Sequence, residues 1–125
     1  MQDKLKILVI DDQLAPRESI RMVLKDKYDV VAATAEWGFE YIAANPVNLV
    51  LLDIKMPKID GITALKEIKK KYPGTEVILL SAYADIETTQ KALKLGAFGY
   101  LTKPFDKDEL LDIVDRALQN QSPKD

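Results

Sequence analysis

The sequence lacks both cysteine and histidine in its 125 residues. Without cysteine, the chain has no disulfide, no thiolate metal site and no thiol nucleophile. Without histidine, it cannot form a Ser-His catalytic triad, bind zinc through imidazole or carry a phosphohistidine itself. The groups left to consider are oxygen ligands and the cationic side chains of lysine and arginine.

Long hydrophobic runs and an excess of positive charge are also absent. The first apolar run, at residues 5–10, is too short for a signal peptide or a membrane span, so we expect a cytoplasmic protein without membrane contact. The formal net charge of -2 provides no basic face for nucleic acid. The three lysines at residues 69–71 are interpreted as the solvated end of a helix, where cations suit the helix dipole.

The hydrophobic residues that are present make up 47% of the chain, which is enough for one packed domain of ordinary size. Five short apolar runs lie at residues 5–10, 28–33, 49–52, 77–80 and 98–101. They are continuous rather than alternating, which is typical of parallel strands covered on both faces. We predict one domain at residues 1–119, followed at residues 120–125 by a polar tail or the start of a linker.

The stretches between the runs have helical periodicity. Pro16 suits the first turn of helix 1, and helix 2 is predicted at about residues 36–44. In helix 3, Tyr72 continues the apolar face until Pro73 ends the helix. The remaining signals are a candidate N-cap of helix 4 (Asp85), its candidate C-terminal glycine (Gly96), a capping box that opens helix 5 (Asp106 and Glu109), and the buried stripe of helix 5 (Leu110, Leu111, Val114 and Leu118).

Strict alternation of strands and helices predicts an α/β protein with right-handed crossovers. Five strands and five helices favour a doubly wound parallel sheet in the order 2-1-3-4-5, the flavodoxin-like arrangement. Ligands in such folds bind at the carboxyl ends of the strands, beside the point where the strand order reverses. Here that point lies between strands 1 and 3.

Acidic residues follow both of these strands. Asp11 and Asp12 follow strand 1, and Asp53 follows strand 3. Two carboxylates about 5 Å apart repel by roughly 3 kcal/mol at an effective dielectric of 20, so the cluster needs cations. Oxygen ligands without histidine or cysteine predict Mg²⁺.

Two further residues end strands along the same rim of the sheet. Lys103 follows strand 5 and supplies a second cation, and Ser81 ends strand 4. Each residue alone is more simply explained as a cap or a surface group, but structural caps need not share one rim. A carboxylate in such a site can act as a nucleophile toward phosphorus and form an aspartyl phosphate. We therefore predict that a carboxylate of this cluster accepts a phosphoryl group.

Four stretches of the sequence, at residues 7–12, 51–61, 80–83 and 96–105, resemble the receiver domains of two-component response regulators in order and spacing. The resemblance covers the chain from Lys6 to about Leu118 and implies the receiver fold. It implies that Asp53 is both the phosphoacceptor and a metal ligand, that Asp12 binds Mg²⁺ directly, and that Asp11 binds it largely through water. The backbone carbonyl of Lys55 would be a further metal ligand.

The resemblance also assigns roles around the metal. Lys103 would bind the phosphoryl oxygens, and its bond to Pro104 would be cis. Ser81 and Tyr100 would form a switch pair, in which the hydroxyl moves to the phosphoryl group and the ring turns inward. Lys55 and Tyr83 occupy positions that tune the lifetime of the aspartyl phosphate. Gly99 and Lys58 differ from the residues common in relatives, but neither position touches the pocket.

The implied function is that of a signalling receiver rather than an enzyme. Its phosphoryl donor would be a sensor histidine kinase or a His-phosphotransfer protein. The face formed by helix 4, strand 5 and helix 5 would contact an output domain, a partner protein or a second copy of the chain in a phosphorylation-dependent homodimer. The sequence most resembles nitrogen-regulation-class receivers, which usually precede an ATPase and a DNA-binding domain, and single-domain phosphorelay receivers.

Three alternatives are less consistent with the residues. A haloacid-dehalogenase-type phosphatase needs a second aspartate two residues after its nucleophile, where this chain has Lys55. A flavodoxin-type flavin carrier needs a Ser/Thr- and Gly-rich loop after strand 1, where Asp11 and Asp12 would repel a phosphate. An interaction module with a dead site would not need the complete constellation.

Overall fold

The computed structural model describes residues 4–54, 60–82 and 86–123. It contains one parallel sheet of five strands in the order β2-β1-β3-β4-β5, which confirms the predicted fold class and strand order. Along the chain the elements are β1 (Lys6–Ile10), α1 (Leu14–Leu24), β2 (Asp29–Ala33), α2 (Ala35–Ala44), β3 (Leu49–Asp53), α3 (Gly61–Lys71), β4 (Glu76–Ser81), α4 (Ile86–Lys94), β5 (Gly99–Thr102) and α5 (Lys107–Leu118).

The sheet is covered on both faces, as the continuous apolar runs require. One core cluster joins the sheet to α2, α3 and α4, and a second joins it to α1 and α5. Successive strand residues point to opposite faces, so Leu51 belongs to one cluster and Leu52 to the other. The central strand β3 is buried at all five positions. Burial on both faces therefore fixes this strand and the residue that ends it, Asp53.

The helix ends follow the capping signals in the sequence. Asp106 and Glu109 form the predicted capping box at the start of α5. Gly96 has a φ of 105°, and its N–H donates to the carbonyl of Leu93, while the next N–H donates to the carbonyl of Ala92. This is the Schellman arrangement, in which glycine avoids the steric cost of a left-handed residue. Asp85, the candidate N-cap of α4, lies outside the described residues.

Two expectations about helix residues were wrong. Tyr72 does not continue α3; its φ and ψ of −132° and 67° make it the C-cap residue. The reason is that proline at the next position disfavours helical geometry in the residue before it. Leu111 is only partly buried, and the buried stripe of α5 instead includes Ile113 and Ala117.

At the amino ends of the strands, the fully buried side chain of Asn48 binds the segment that follows α5. Its Oδ1 accepts a hydrogen bond from the N–H of Lys6 at 3.0 Å. Its Nδ2 donates to Gln121 Oε1 at 3.2 Å and to the carbonyl of Ser122 at 2.8 Å. The first residues of the predicted polar tail are therefore hydrogen-bonded to the sheet, on the side opposite to the acidic residues.

Across the three described ranges, the longest helix has 12 residues, and none is long and apolar enough to cross a membrane.

Candidate functional site

The acidic residues of the candidate site lie at the ends of neighbouring strands. Asp53 is the last residue of β3, and Asp11 directly follows β1. These strands pair in parallel, with Ile10 opposite Leu52, so the two aspartates leave the sheet side by side. Asp11 is 0% exposed and Asp53 is 8% exposed. The structure therefore places two nearly buried carboxylates together at the edge where the sequence predicted them.

Lys103 brings a positive charge to both carboxylates. Its Nζ lies 3.1 Å from Asp11 Oδ2 and 3.5 Å from Asp53 Oδ2. The backbone directs the side chain inward, because the N–H of Lys103 donates to the carbonyl of Ser81 at 2.6 Å. The bond between Lys103 and Pro104 is cis, as the resemblance implied. One ammonium from the end of β5 thus links the ends of β1 and β3.

Asp11 is held at each of its polar atoms. Its N–H donates to the carbonyl of Ala33 at 3.1 Å, and its Oδ1 accepts from the N–H of Gln13 at 2.9 Å. Its Oδ2 accepts from Lys103, and its carbonyl oxygen accepts from Arg17 Nη1 at 2.9 Å. A buried residue with hydrogen bonds at its N–H, its carbonyl and both carboxylate oxygens has little freedom to move.

Asp12 is oriented differently. Its side chain is half-buried, and its Oδ1 accepts a hydrogen bond from the N–H of Ala35, the first residue of α2, at 3.3 Å. The carboxylate thus lies at the amino end of a helix, where the dipole favours negative charge. The structure places Asp12 at the rim, whereas Asp11 lies beneath it in the protein interior.

The positions of these acidic side chains decide whether the site can hold Mg²⁺. Among the residues that the structure describes, no three acidic side chains stand close enough to form a ready-made metal cage. The donors that are present, carboxylate oxygens without nitrogen or sulfur, are those that Mg²⁺ prefers, and Mg²⁺ usually keeps several waters and only one or two protein carboxylates. The residues therefore fit a partly hydrated Mg²⁺. Lys55, whose carbonyl was expected to be a ligand, lies outside the described residues.

The expected switch residues lie on β4 and β5, of which β4 pairs with β3 and β5 is the next strand outward. Ser81 ends β4 and is buried, whereas Tyr100 on β5 is 41% exposed. The two strands pair with Leu79 opposite Tyr100 and Ser81 opposite Thr102. The ring of Tyr100 therefore faces outward in this structure. Tyr83, one of the two positions expected to tune the phosphate lifetime, is outside the described residues.

Two features of the site were not predicted. The first is the contact from Arg17, a residue that the helical pattern marks only as polar. The second is the close approach of Gly61 to the residue after Asp53: a Cβ on Gly61 would lie 2.6 Å from Ile54 Cα. Asp60 caps α3 by accepting from the N–H of Ile62 at 3.2 Å, which holds Gly61 against that backbone. A glycine directly after an N-cap aspartate was the available sequence signal.

The comparison with known families agrees with this architecture. The profile of the response regulator receiver domain matches residues 7–115, which is most of the chain. The chain therefore belongs to the response regulator receiver domain family, the signalling modules of two-component systems.

Two individual relatives show which kind of regulator this chain is similar to. The chain is 44% identical to the regulatory protein AtoC of Escherichia coli K12 over 131 aligned positions, covering 95% of this chain and 26% of AtoC. It is 38% identical to the DNA-binding transcriptional regulator NtrC of Salmonella typhimurium, covering 91% of this chain and 25% of that protein. The chain thus spans about a quarter of the length of these curated relatives.

Solved structures show the same fold. A CheY-like receiver domain protein from Methanospirillum hungatei JF-1 superposes with a TM-score of 0.89 at 34% identity, covering 95% of this chain and 97% of the other. The receiver domain of NtrX from Brucella abortus has a TM-score of 0.86 at 34% identity, covering 92% of this chain and 99% of the other. Both isolated receiver domains and parts of longer regulators are therefore similar to this chain.

Proposed function

We propose that this receiver accepts a phosphoryl group on Asp53 from a sensor histidine kinase or a His-phosphotransfer protein, in a reaction that requires Mg²⁺. The observation that supports the proposal most strongly is the bridging position of Lys103 between Asp11 and Asp53. At rest the ammonium relieves the repulsion between the two carboxylates. The same position would bring it into contact with the oxygens of a phosphoryl group on Asp53.

The proposed reaction needs no general base, because a carboxylate nucleophile has no proton to remove. A carboxylate oxygen forms a bond to phosphorus while the bond from phosphorus to the donor's histidine nitrogen breaks. That nitrogen keeps the bonding electron pair, and the donor's ring, which carries a proton on its other nitrogen, leaves as neutral imidazole. Asp12, Asp53, the Lys55 carbonyl and, through water, Asp11 would hold Mg²⁺, which would supply positive charge to the phosphoryl oxygens.

Lys103 has the second electrostatic role. At rest its ammonium lies between two carboxylates, and after transfer the phosphoryl oxygens on Asp53 become its partner. Other hydrogen bonds hold Asp11 at its N–H, its carbonyl and its Oδ1, so it does not depend on Lys103 alone for its position. Lys103 can therefore follow the new negative charge while the rest of the pocket stays in place.

The signal would pass from the pocket to the face formed by α4, β5 and α5. Ser81 would move toward the phosphoryl group, and the outward ring of Tyr100 would then turn into the space beside β4. Helix α4 and the residue before β5 carry three other exposed apolar side chains, Ile86, Leu93 and Phe98. We propose that it binds an output domain, a partner protein or a second copy of the chain, and that Lys55 and Tyr83 tune how long the phosphorylated state lasts.

Hydrogen exchange tests this switch. Beryllofluoride, a phosphoryl mimic, should change amide exchange from β4 through α5, and Tyr100→Ala should reduce the change at α4 and β5. Changes restricted to the residues around Asp53 would contradict the proposed switch.

The remaining assignments follow from the same proposal. The receiver domain would occupy residues 1–119 in the cytoplasm, without contacting nucleic acid itself. Residues 120–125 would form a polar tail or the start of a linker.

Phosphorylation itself is tested with a small donor. Acetyl phosphate or phosphoramidate with Mg²⁺ should add one base-labile phosphoryl group to the intact protein, measured by mass spectrometry, and EDTA should prevent the addition. Asp53→Asn should abolish it, whereas the matched change of an exposed aspartate on α5, Asp112→Asn, should not. A full gain of mass in the Asp53→Asn protein would show that the proposed acceptor is wrong.

A further inference from the structure

The carbonyl group of Asp11 belongs to the peptide that joins the two aspartates after β1. This carbonyl lies beyond the last paired residue of the strand, because β1 ends at Ile10. Arg17, which lies on α1, donates to it from Nη1 at 2.9 Å in a partly buried position. A side chain six residues along the chain thus determines which way this peptide faces.

The orientation of this peptide matters for Asp12 more than for Asp11. Asp11 has its own anchors at both carboxylate oxygens, from Gln13 and Lys103. Within residues 4–54, 60–82 and 86–123, the Asp12 side chain has a single, longer hydrogen bond, from the N–H of Ala35 at 3.3 Å. Rotation of the peptide between the two aspartates would carry the Asp12 carboxylate away from the edge where Asp53 ends its strand.

We propose that Arg17 is a positioning residue for the acidic site, which fixes the peptide between Asp11 and Asp12 and thereby aims the Asp12 carboxylate. The inference rests on the proposed function, in which Asp12 is the direct Mg²⁺ ligand. It extends the site to α1, which contributes none of the acidic residues. Such outer contacts typically change metal affinity by 10–100-fold when they are removed.

An electrostatic role and a positioning role of Arg17 predict opposite changes in Mg²⁺ affinity when Arg17 is replaced. As a nearby cation, Arg17 repels Mg²⁺, so a purely electrostatic role predicts tighter binding when the charge is removed. As a positioning residue, it orients a ligand, so its removal weakens binding. Lysine restores the charge but not the planar guanidinium that reaches the carbonyl. Only the positioning role predicts that both replacements bind Mg²⁺ more weakly.

The test is a calorimetric titration of the full chain with Mg²⁺ alone. Arg17→Met should weaken binding about tenfold, and Arg17→Lys should remain several-fold weaker than wild type. The matched control is Arg21→Met on the same helix, because Arg21 pairs with Glu18 at 2.9 Å rather than with either aspartate, so its replacement should leave the affinity unchanged. Mg²⁺ binding by Arg17→Met that equals or exceeds that of wild type would overturn the proposal.

A second measurement needs no metal. In EDTA, the amide resonances of Asp12 and Ala35 should shift in Arg17→Met and stay in place in Arg21→Met. If the wild type binds no Mg²⁺ at millimolar concentration, the metal in the proposed function is refuted, and the amide comparison alone decides the role of Arg17. Unshifted amides in Arg17→Met would then refute the positioning role as well.

Discussion

Replacement of Lys103 by methionine should strongly destabilise the metal-free protein. The two ion pairs of Lys103, at 3.1 and 3.5 Å, each correspond to about 5 kcal/mol of attraction at an effective dielectric of 20. Since both Oδ2 atoms contact one nitrogen, they are at most about 6.6 Å apart. At that dielectric, the two carboxylates repel by about 2.5 kcal/mol or more once the ammonium is gone.

The measured loss should be smaller than the sum of these energies. Lys103 must itself be desolvated to reach the pocket, and its side chain remains 23% exposed. Removing one partner of a buried pair typically costs about 3–5 kcal/mol, so we expect Lys103→Met to lower the free energy of unfolding by about 3 kcal/mol. Methionine keeps most of the aliphatic length, so this loss reports the charge rather than a cavity.

Urea denaturation in EDTA, followed by circular dichroism, measures the loss. The control is Lys107→Met, a fully exposed lysine at the start of α5, which should change the free energy of unfolding by about 0.5 kcal/mol or less. Adding Asp53→Asn to Lys103→Met should recover about 2 kcal/mol, because it removes the unrelieved repulsion. Mg²⁺ should also stabilise Lys103→Met more than wild type, since the metal replaces the missing positive charge.

A small effect would contradict this reasoning. If Lys103→Met unfolds within about 1 kcal/mol of wild type and Asp53→Asn adds no stability to it, the carboxylates are not held together against their repulsion. The bridging lysine would then have little electrostatic importance in the resting state.

Three further changes test other parts of the structure. Gly61→Ala should lower the free energy of unfolding by about 2 kcal/mol or more, because its Cβ would lie 2.6 Å from Ile54 Cα; thermal melts measure the change. Asn48→Ala removes three hydrogen bonds from a buried site and should cost about 2–3 kcal/mol, with faster amide exchange in the segment after α5. Burial, together with the hydrogen bond to Asp115, raises the pKa of Tyr28. Above about pH 10 the Tyr28 hydroxyl therefore ionises in the unfolded state but keeps its proton in the native state. The free energy of unfolding should therefore fall above that pH in wild type and fall less in Tyr28→Phe, as pH-dependent denaturation can measure.

The fold was predictable because its signals are local and repeated. A run such as residues 49–52 is apolar on both faces, and only a central parallel strand buries both. The order of such runs and helices then restricts the topology to few arrangements. The end of α3 was misplaced because the apolar spacing of Tyr72 was given more weight than the proline that follows it.

Only those residues of the candidate site that end a strand could be placed from the sequence. The position of Asp53 follows directly from the strand that it ends. The contact of Lys103 with Asp11 depends on the side chain reaching past the ends of β4 and β3, and the contact of Arg17 depends on how α1 packs on the sheet. Asn48 was missed for the same reason, since a single polar residue before a strand does not show which distant segment it binds.

The proposal that Asp53 is the phosphoacceptor is tested most directly by locating the modification. After phosphorylation with acetyl phosphate and Mg²⁺, borohydride reduces an aspartyl phosphate to homoserine, and peptide mass mapping identifies the converted residue. We predict homoserine at position 53 and unmodified aspartate at positions 11, 12 and 60. Conversion at any of those three positions, or none at position 53 in a protein that has gained a phosphoryl group, would contradict the proposal.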